Sequence, residues 1–216
     1  LVRAGEQGLA QVAAQVAVLL GERGLGGNDA DLELRMRRWR TERGQRAEHA
    51  RRMAARWAGL VPAAPGAEID DAAVARCVAL AFPDRLAKRR DASGESWASV
   101  GGRGFRLDPT SPLARAEWLA VAETQGMAAG ARILSAAPIE AATVESLFAD
   151  RIETRRTVRF DPATGRIEAL RERRLGAVRL SSGPDSDASP TEIEAALLEG
   201  VRAHGLALLP WSDHAR

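Results

Sequence analysis

The chain has 216 residues, a length that accommodates one large domain or two small ones. Its hydrophobic fraction of 45% and charged fraction of 28% are typical of folded proteins, which excludes a chain that is disordered throughout. The formal net charge of +2 is too small to indicate nucleic-acid binding by itself.

Several simple features restrict the class of protein. No apolar run approaches the ~18 residues that a transmembrane helix needs. The lone Cys77 excludes an internal disulfide and a cysteine-rich metal site. Because no signal peptide is visible either, we expect a cytoplasmic protein that does not contact membranes. The chain starts at Leu1 and stops abruptly after Arg216, so we also expect it to be a fragment of a longer protein.

The charge is arranged in blocks along the chain. Residues 1–61 carry a net charge of +4 and residues 151–180 carry +5, whereas residues 93–150 carry −3 and residues 181–216 carry −4. Blocks of like charge create a local potential even where the total charge is small.

The first 90 residues predict helices. Leu9, Val12, Val16 and Leu19 recur at helical spacing within a first helix over 3–22, which the following glycines end. Asn28 or Asp29 can cap a second helix. Its apolar stripe consists of Leu32, Met36, Trp39, Ala50, Met53 and Trp57. The arginines that fall away from this stripe are Arg35, Arg38, Arg46 and Arg52.

Three breaks divide the rest of this helical region. Gly44 is expected to split or bend the second helix, and residues 61–66 predict a turn or linker. Asp70 is expected to cap a third helix that extends to Ala81. Pro83 either interrupts that helix or begins a further helical turn that runs to Arg90.

From about residue 92 the pattern changes to short β-like segments with turn residues between them. The predicted strands lie near 97–100, 104–107, 117–123, 131–136, 152–160 and 166–180. A short helix is predicted at 139–149, a hairpin turn at 161–165 and an amphipathic helix at 190–203. Strands, then a helix, then two more strands is the order of a small OB-type barrel, which commonly carries its helix between its third and fourth strands.

The predicted fold class is therefore α+β, with three parts. A helical region occupies residues 1–92, and an OB-fold-like barrel occupies residues 93–182. Residues 183–216 form a C-terminal helix and the start of a truncated extension.

No catalytic constellation is visible. The sequence has no G-x-x-x-x-G-K-[ST] phosphate loop, and Lys88 is its only lysine, so this chain alone should not hydrolyse ATP. It has no H-E-x-x-H, its three histidines lie far apart, and no G-x-S-x-G is present. We therefore predict no catalytic residues and no metal ligands, which disfavours a self-contained enzyme.

The remaining candidate site is arginine-rich. Arg85, Lys88 and Arg89 would share one face of a helix at i, i+3 and i+4, and such a face can contact successive phosphates. The alternative is a solvated helix end. Arg90 extends this basic run, and Arg103 and Arg106 lie on a turn downstream.

Other residues have two interpretations each. Trp97 could stack on a base or lie in the barrel core. The arginines of the later strands are either further contacts or ordinary strand surface, namely Arg155, Arg156, Arg159, Arg171, Arg173 and Arg174.

Several separated segments resemble one family. The segments are VALAFPDRLAKRR at 78–90, FRLDPTSPL at 105–113, EWLAVA at 117–122, LFADR at 147–151, RRLGA at 173–177 and GLALLPWSD at 205–213. Together they are similar, in order, to bacterial HrpB-type ATP-dependent RNA helicases of the DEAH/RHA group. The resemblance covers most of the chain from about residue 70 onward.

The resemblance implies an accessory C-terminal region of such a helicase. Two RecA-like motor domains of the same chain would precede it and would bind ATP and Mg²⁺, so no cofactor is expected in this fragment. In this group the helical region and the OB barrel line the channel for a single strand, which makes single-stranded RNA the implied partner, with DNA not distinguished. The alternative is an OB-type module that binds protein, which an acidic or apolar open barrel face would favour.

Overall fold

The computed structural model describes residues 1–62, 64, 72–127 and 129–205. They form two compact units. The first comprises residues 1–149 and 176–178, and the second comprises residues 150–175 and the described residues from 179 onward. Across the described ranges, no helix has the length and apolar character needed to cross a membrane.

Five helices open the first unit. They are α1 (Val2–Glu6), α2 (Ala10–Gly21), α3 (Leu32–Thr41), α4 (Gln45–Ala58) and α5 (Ala73–Ala81). The single helix predicted over 3–22 is wrong, because the chain turns at Gly8 with a φ of 72° between α1 and α2. The predicted apolar face is confirmed, and its four residues Leu9, Val12, Val16 and Leu19 are all buried.

Asp31, and neither Asn28 nor Asp29, caps α3. Its Oδ1 accepts hydrogen bonds from the backbone N–H groups of Glu33 at 2.9 Å and Leu34 at 3.1 Å. The predicted cap was wrong by two residues or more, because Asp29 instead accepts a hydrogen bond from the backbone N–H of Asp31.

The predicted break at Gly44 is confirmed, since this glycine has a φ of 122° and separates α3 from α4. Leu32, Met36 and Trp39 are buried in the core as predicted. Arg35 contradicts the prediction that it falls away from the apolar stripe, because it is only 7% exposed. The tertiary structure supplies polar partners that make this burial possible.

The predicted linker and the predicted cap Asp70 lie wholly or partly outside the described residues. The third predicted helix is confirmed as α5, which packs against α2. Burial raises the pKa of the Cys77 thiol on α5 to about 12, so this cysteine is an unreactive core residue.

Of the two alternatives for Pro83, the interruption of the third helix is confirmed, since α5 ends at Ala81, and the helical turn that runs to Arg90 is wrong. Pro83–Arg85 form one 3₁₀ turn, and Leu86–Arg89 form strand β1. β1 pairs with a strand on each side. These pairings satisfy the backbone of β1 through β2 and β4, so they override the local helical spacing.

Five strands close a barrel. They are β1, β2 (Ser96–Ser99), β3 (Gly104–Arg106), β4 (Trp118–Gln125) and β5 (Ala129–Ile139), in the spatial order β1-β2-β3-β5-β4. All neighbours are antiparallel except β3 and β5. This is an OB-like barrel. Its core cluster consists of Ala87, Trp97, Phe105, Leu107, Leu113, Ala114, Leu119, Val121, Ala131, Ile133 and Ala136.

The barrel differs in two ways from the one predicted over 93–182. It begins at Leu86 and is complete by Ile139, so the later strands are not part of it. The predicted helix exists as α6 (Ala141–Leu147), but it follows the fifth strand. A 3₁₀ turn at Pro112–Arg115 connects the third strand to the fourth instead.

The second unit contains a sheet and a helix. β6 (Ile152–Asp161), β7 (Arg166–Leu175) and β8 (Val178–Pro184) form a three-stranded sheet in that order, and β8 begins within the first unit. The strand predicted over 166–180 is thus two strands. The predicted C-terminal helix is α7 (Pro190–His204), which packs on β6. The α+β class, with its helical region, OB-like barrel and C-terminal helix, is confirmed.

Candidate nucleic-acid interface

The outer face of β2 and β3 carries small residues and one cation. Alternation along each strand points Trp97 and Phe105 into the barrel, where they are 0% and 3% exposed. The register places Ala98 opposite Gly104 and Ser96 opposite Arg106 on the other face. The outer face therefore carries short side chains, with Arg106 at one side.

The face continues onto β5. Arg132 on β5 is the register partner of Arg106 on β3, and both residues are exposed. Ala131 beside it points inward and is buried. The pKa of Asp108 is lowered, chiefly by the hydrogen bond from the Thr110 hydroxyl and to a smaller extent by the positive charge of Arg132. Two guanidinium groups therefore stand on adjacent strands of one surface.

Arg103 stands at the edge of this surface, on the turn between β2 and β3. Its backbone N–H donates to Ser99 Oγ at 2.9 Å, which fixes the turn, and its side chain is exposed. Arg90, at the end of β1, is exposed as well. Neither guanidinium group has a hydrogen-bond or ion-pair partner within the described part of the chain.

Arg106 forms an exposed ion pair with Glu95, and Lys88 Nζ lies 3.5 Å from Glu117 Oε1. Exposed pairs of this kind are weak because water and salt screen them. A phosphate can therefore replace the carboxylate of Glu95 at Arg106 at little cost. The five cations that remain candidate phosphate contacts are Lys88, Arg90, Arg103, Arg106 and Arg132.

The structure does not bring Arg85, Lys88 and Arg89 to one face, as the helical prediction required. Lys88 and Arg89 are successive residues of β1, so their side chains point to opposite sides. Arg85 Nη1 donates to the carbonyl oxygen of Ala122 at 2.5 Å, and its guanidinium lies 4.7 Å from the centre of the Phe82 ring.

Arg89 has a structural role too. Its Nη1 donates to the carbonyl oxygens of Ala114 at 3.1 Å and Arg115 at 3.3 Å, at the end of the 3₁₀ turn. Arg85 and Arg89 thus stabilise the barrel by binding backbone carbonyls, which leaves them poorly placed for phosphates.

Trp97 lies in the barrel core and presents no exposed ring surface to a base. Its ring is fully buried in the barrel, and its Nε1–H donates to the carbonyl oxygen of Gly94 at 2.7 Å. The core interpretation of this residue was correct. In the loop it contacts, Asp91 Oδ1 accepts a hydrogen bond from the backbone N–H of Gly94 at 2.8 Å.

Two functional candidates were missed by the sequence reasoning. Arg132 follows a buried position in a correctly predicted strand, which was a usable signal for an outward side chain. No sequence pattern indicated that Arg132 lies beside Arg106, because the parallel pairing of β3 with β5 joins segments that are separated by a whole strand. No sequence pattern indicated that Arg35 is buried.

The strand arginines of the second unit are mostly ion-paired within their own sheet. Arg159 pairs with Glu168 at 2.8 Å and Arg155 with Glu153 at 3.1 Å. Arg156 and Arg171 both bind the carboxylate of Asp185, at 2.6 Å and 3.0 Å, and hydrogen bonding to Arg156 is the chief cause that lowers the pKa of Asp185. These pairings favour the strand-surface interpretation.

The described residues contain no cluster of three or more histidine, cysteine, aspartate or glutamate side chains that could hold a metal ion.

No known protein-family profile matches the chain. It is 34% identical over 152 residues, 69% of its length, to the ATP-dependent RNA helicase HrpB of Escherichia coli strain K12. A crystal structure of the E. coli DExH-box NTPase HrpB matches 97% of the chain at 27% identity with a TM-score of 0.70. A second, of the E. coli DEAH/RHA helicase HrpB, matches 95% at 25% identity with a TM-score of 0.66.

A helical region followed by an OB-like barrel, together with these matches, defines the chain as an accessory helicase region. In particular, the chain is homologous to the C-terminal region of HrpB, which confirms the resemblance predicted from the sequence. It spans 19% of the length of the curated HrpB helicase and about a quarter of each HrpB chain solved by crystallography.

Proposed function

We propose that this chain guides single-stranded nucleic acid, with RNA as the first candidate, for helicase motor domains of the same protein. ATP and Mg²⁺ would bind in those RecA-like domains, and this region would contribute the strand contact in the cytoplasm. The homology to HrpB supports the helicase context. The predicted absence of ATP hydrolysis by this chain alone belongs to the same proposal.

The observation that carries the proposal is the outer face of β2, β3 and β5. Arg103, Arg106 and Arg132 border a surface of small residues, so a phosphate backbone can approach the strands closely. Cations supply most of the affinity of such sites, and small side chains leave room for the sugars. The same face is the one through which OB folds bind oligonucleotides.

The charge of this face also bears on the alternative of a protein-binding OB module. That alternative requires an acidic or apolar open face, whereas the exposed residues here are mainly cationic or small, apart from Glu95, whose carboxylate pairs with Arg106. The observed face therefore favours nucleic acid as the ligand.

The test is a titration of fluorescein-labelled single-stranded RNA at low salt, followed by fluorescence anisotropy. The variant replaces Arg103, Arg106 and Arg132 with glutamine, and the matched control replaces Arg155, Arg159 and Arg179, exposed cations of β6 and β8. Both variants lose three positive charges. We expect the first to lose most of the affinity and the control to retain most of it, whereas equal losses would contradict the site.

A further inference from the structure

The β4–β5 hairpin of the barrel is bent by a pair of irregularities. Val121 pairs with Ala136 and Glu123 pairs with Ser135, so Ala122 has no register partner. The next pair joins Thr124 to Ile133, which leaves Leu134 unpaired on β5. Bulges of this kind bend a strand and redirect its side chains. The bend lies between the barrel body and the hairpin tip.

Two arginines from outside the hairpin bind at this bend. As described above, Arg85 binds the carbonyl oxygen of the bulged Ala122. Arg35 on α3 binds here as well, since its Nη1 donates to Ser135 Oγ at 3.2 Å and its Nη2 donates to the carbonyl oxygen of Leu19 at 3.0 Å. One guanidinium group therefore joins α2, α3 and β5.

Ser135 extends this connection to the neighbouring strand. Its hydroxyl donates to Glu123 Oε2 at 2.7 Å, so the register pair of the bend is also a side-chain hydrogen-bonded pair. Ser135 is 1% exposed and Arg35 is 7% exposed. Burial lowers the pKa of Arg35, and the charge of Glu123 is the larger of the two that oppose this effect. Arg35 Nε is buried without a hydrogen-bond partner among the described residues, so the bonds to Ser135 and Leu19 are the ones that hold this guanidinium group in place.

We infer that Arg35, acting through Ser135 and Glu123, is a positioning residue that sets the direction of the β4–β5 hairpin. Ser135 lies three residues from Arg132 on β5, and the exposed Met127 marks the hairpin tip beside the start of β3. Fixing the bend therefore holds Arg132 and the hairpin tip beside Arg106. The orientation of the hairpin is independent of the proposed function, but its effect on strand binding rests on that function.

The orientation itself is tested without nucleic acid. Cysteines replace Met127 at the tip and Gln11 on the exposed side of α2, and both carry spin labels. Cys77 is buried with a raised pKa and stays unlabelled. We expect a narrow distribution of label distances in the parent, a broader one with Ser135→Ala, and a narrow one with Ser135→Thr. An unchanged distribution with Ser135→Ala would overturn the inference.

The consequence for binding is tested by titrating labelled single-stranded RNA at several salt concentrations. Ser135→Ala should weaken binding about threefold to tenfold, the equivalent of one net hydrogen bond, without changing the salt dependence. Arg132→Gln should instead reduce the slope of log affinity against log salt by about 0.7, because it removes a phosphate contact. A reduced slope with Ser135→Ala, or an unaltered affinity, would contradict a positioning role.

The two measurements separate the two hypotheses. If the parent binds no RNA at low salt, the proposed function fails, while the label distances still decide whether Ser135 fixes the hairpin. If the parent binds RNA but Ser135→Ala alters neither distance nor affinity, the inference fails and the proposed function stands. Ser135 is used instead of Arg35 because its replacement by alanine removes only one oxygen atom.

Discussion

The indole Nε1–H of Trp97, inside the barrel, donates a hydrogen bond to the carbonyl oxygen of Gly94, three residues before it. On the solvent side of the same loop, the carboxylate of Asp91 accepts hydrogen bonds from the backbone N–H groups of Gly94 and Ser96, at 2.8 Å and 3.0 Å. The connection between β1 and β2 is therefore held from both sides. It borders the proposed strand-binding face, because Glu95 in this loop pairs with Arg106.

Replacing Trp97 with phenylalanine should destabilise the barrel without removing nucleic-acid affinity. The smaller ring leaves the carbonyl oxygen of Gly94 without its buried donor, which should lower the free energy of unfolding by about 1–3 kcal/mol. Urea denaturation measures this loss. RNA affinity measured well below the unfolding transition should equal that of the parent, and a large loss of affinity in the folded variant would support base stacking instead.

Gly94→Ala should be more damaging than Gly24→Ala. Both glycines have positive φ, 74° and 80°, so both substitutions incur the left-handed backbone cost of about 1–2 kcal/mol. A Cβ at Gly94 would also overlap the carbonyl oxygen of Ala114, whereas a Cβ at Gly24 would meet no atom within 4 Å. We expect a total loss of about 2–4 kcal/mol at Gly94, measured by urea denaturation. Equal losses would mean that the loop yields to the methyl group.

The contribution of Asp91 to stability should depend on pH in the acid range. Hydrogen bonding, chiefly from the Ser93 hydroxyl, lowers the pKa of Asp91 to about 2. A lowered pKa stabilises the fold above the ordinary aspartate value of about 3.9, and this contribution is lost as the pH falls through about 2. The difference in denaturation midpoint between the parent and Asp91→Ala should be constant above about pH 4 and should shrink below it. A difference that grows on acidification would contradict this assignment.

Asp185→Asn should increase local unfolding of the second unit more than Asp187→Asn. The Asp185 side chain is completely buried and binds both Arg156 and Arg171, whereas the Asp187 side chain is 68% exposed. Neutralising Asp185 leaves two guanidinium groups without their shared carboxylate. Amide hydrogen exchange of β6 and β7 should accelerate strongly in Asp185→Asn and only slightly in Asp187→Asn. Similar exchange in both variants would show that the shared carboxylate is unimportant.

Sequence alone determined the elements whose formation depends on local chemistry. Glycines with positive φ break the helices at Gly44 and close the 161–165 turn at Gly165. Helical spacing identified the buried positions Leu9, Val12, Val16 and Leu19 of the first helical segment. The matched segments also identified the HrpB relationship, because six short similarities in the same order are far more specific than any one of them.

Only the tertiary structure decided which strands form the barrel and which cations face solvent. The cations from Arg85 to Arg89 have helical spacing, but Arg85 ends a 3₁₀ turn and Leu86–Arg89 form a strand, because β2 and β4 supply its backbone partners. Arg35 is accommodated in the interior because Ser135, 100 residues away, and Leu19 accept hydrogen bonds from its two Nη atoms. Arg132 joins Arg106 only through parallel pairing of β3 and β5. Such long-range contacts depend on barrel closure, which no local pattern of residues encodes.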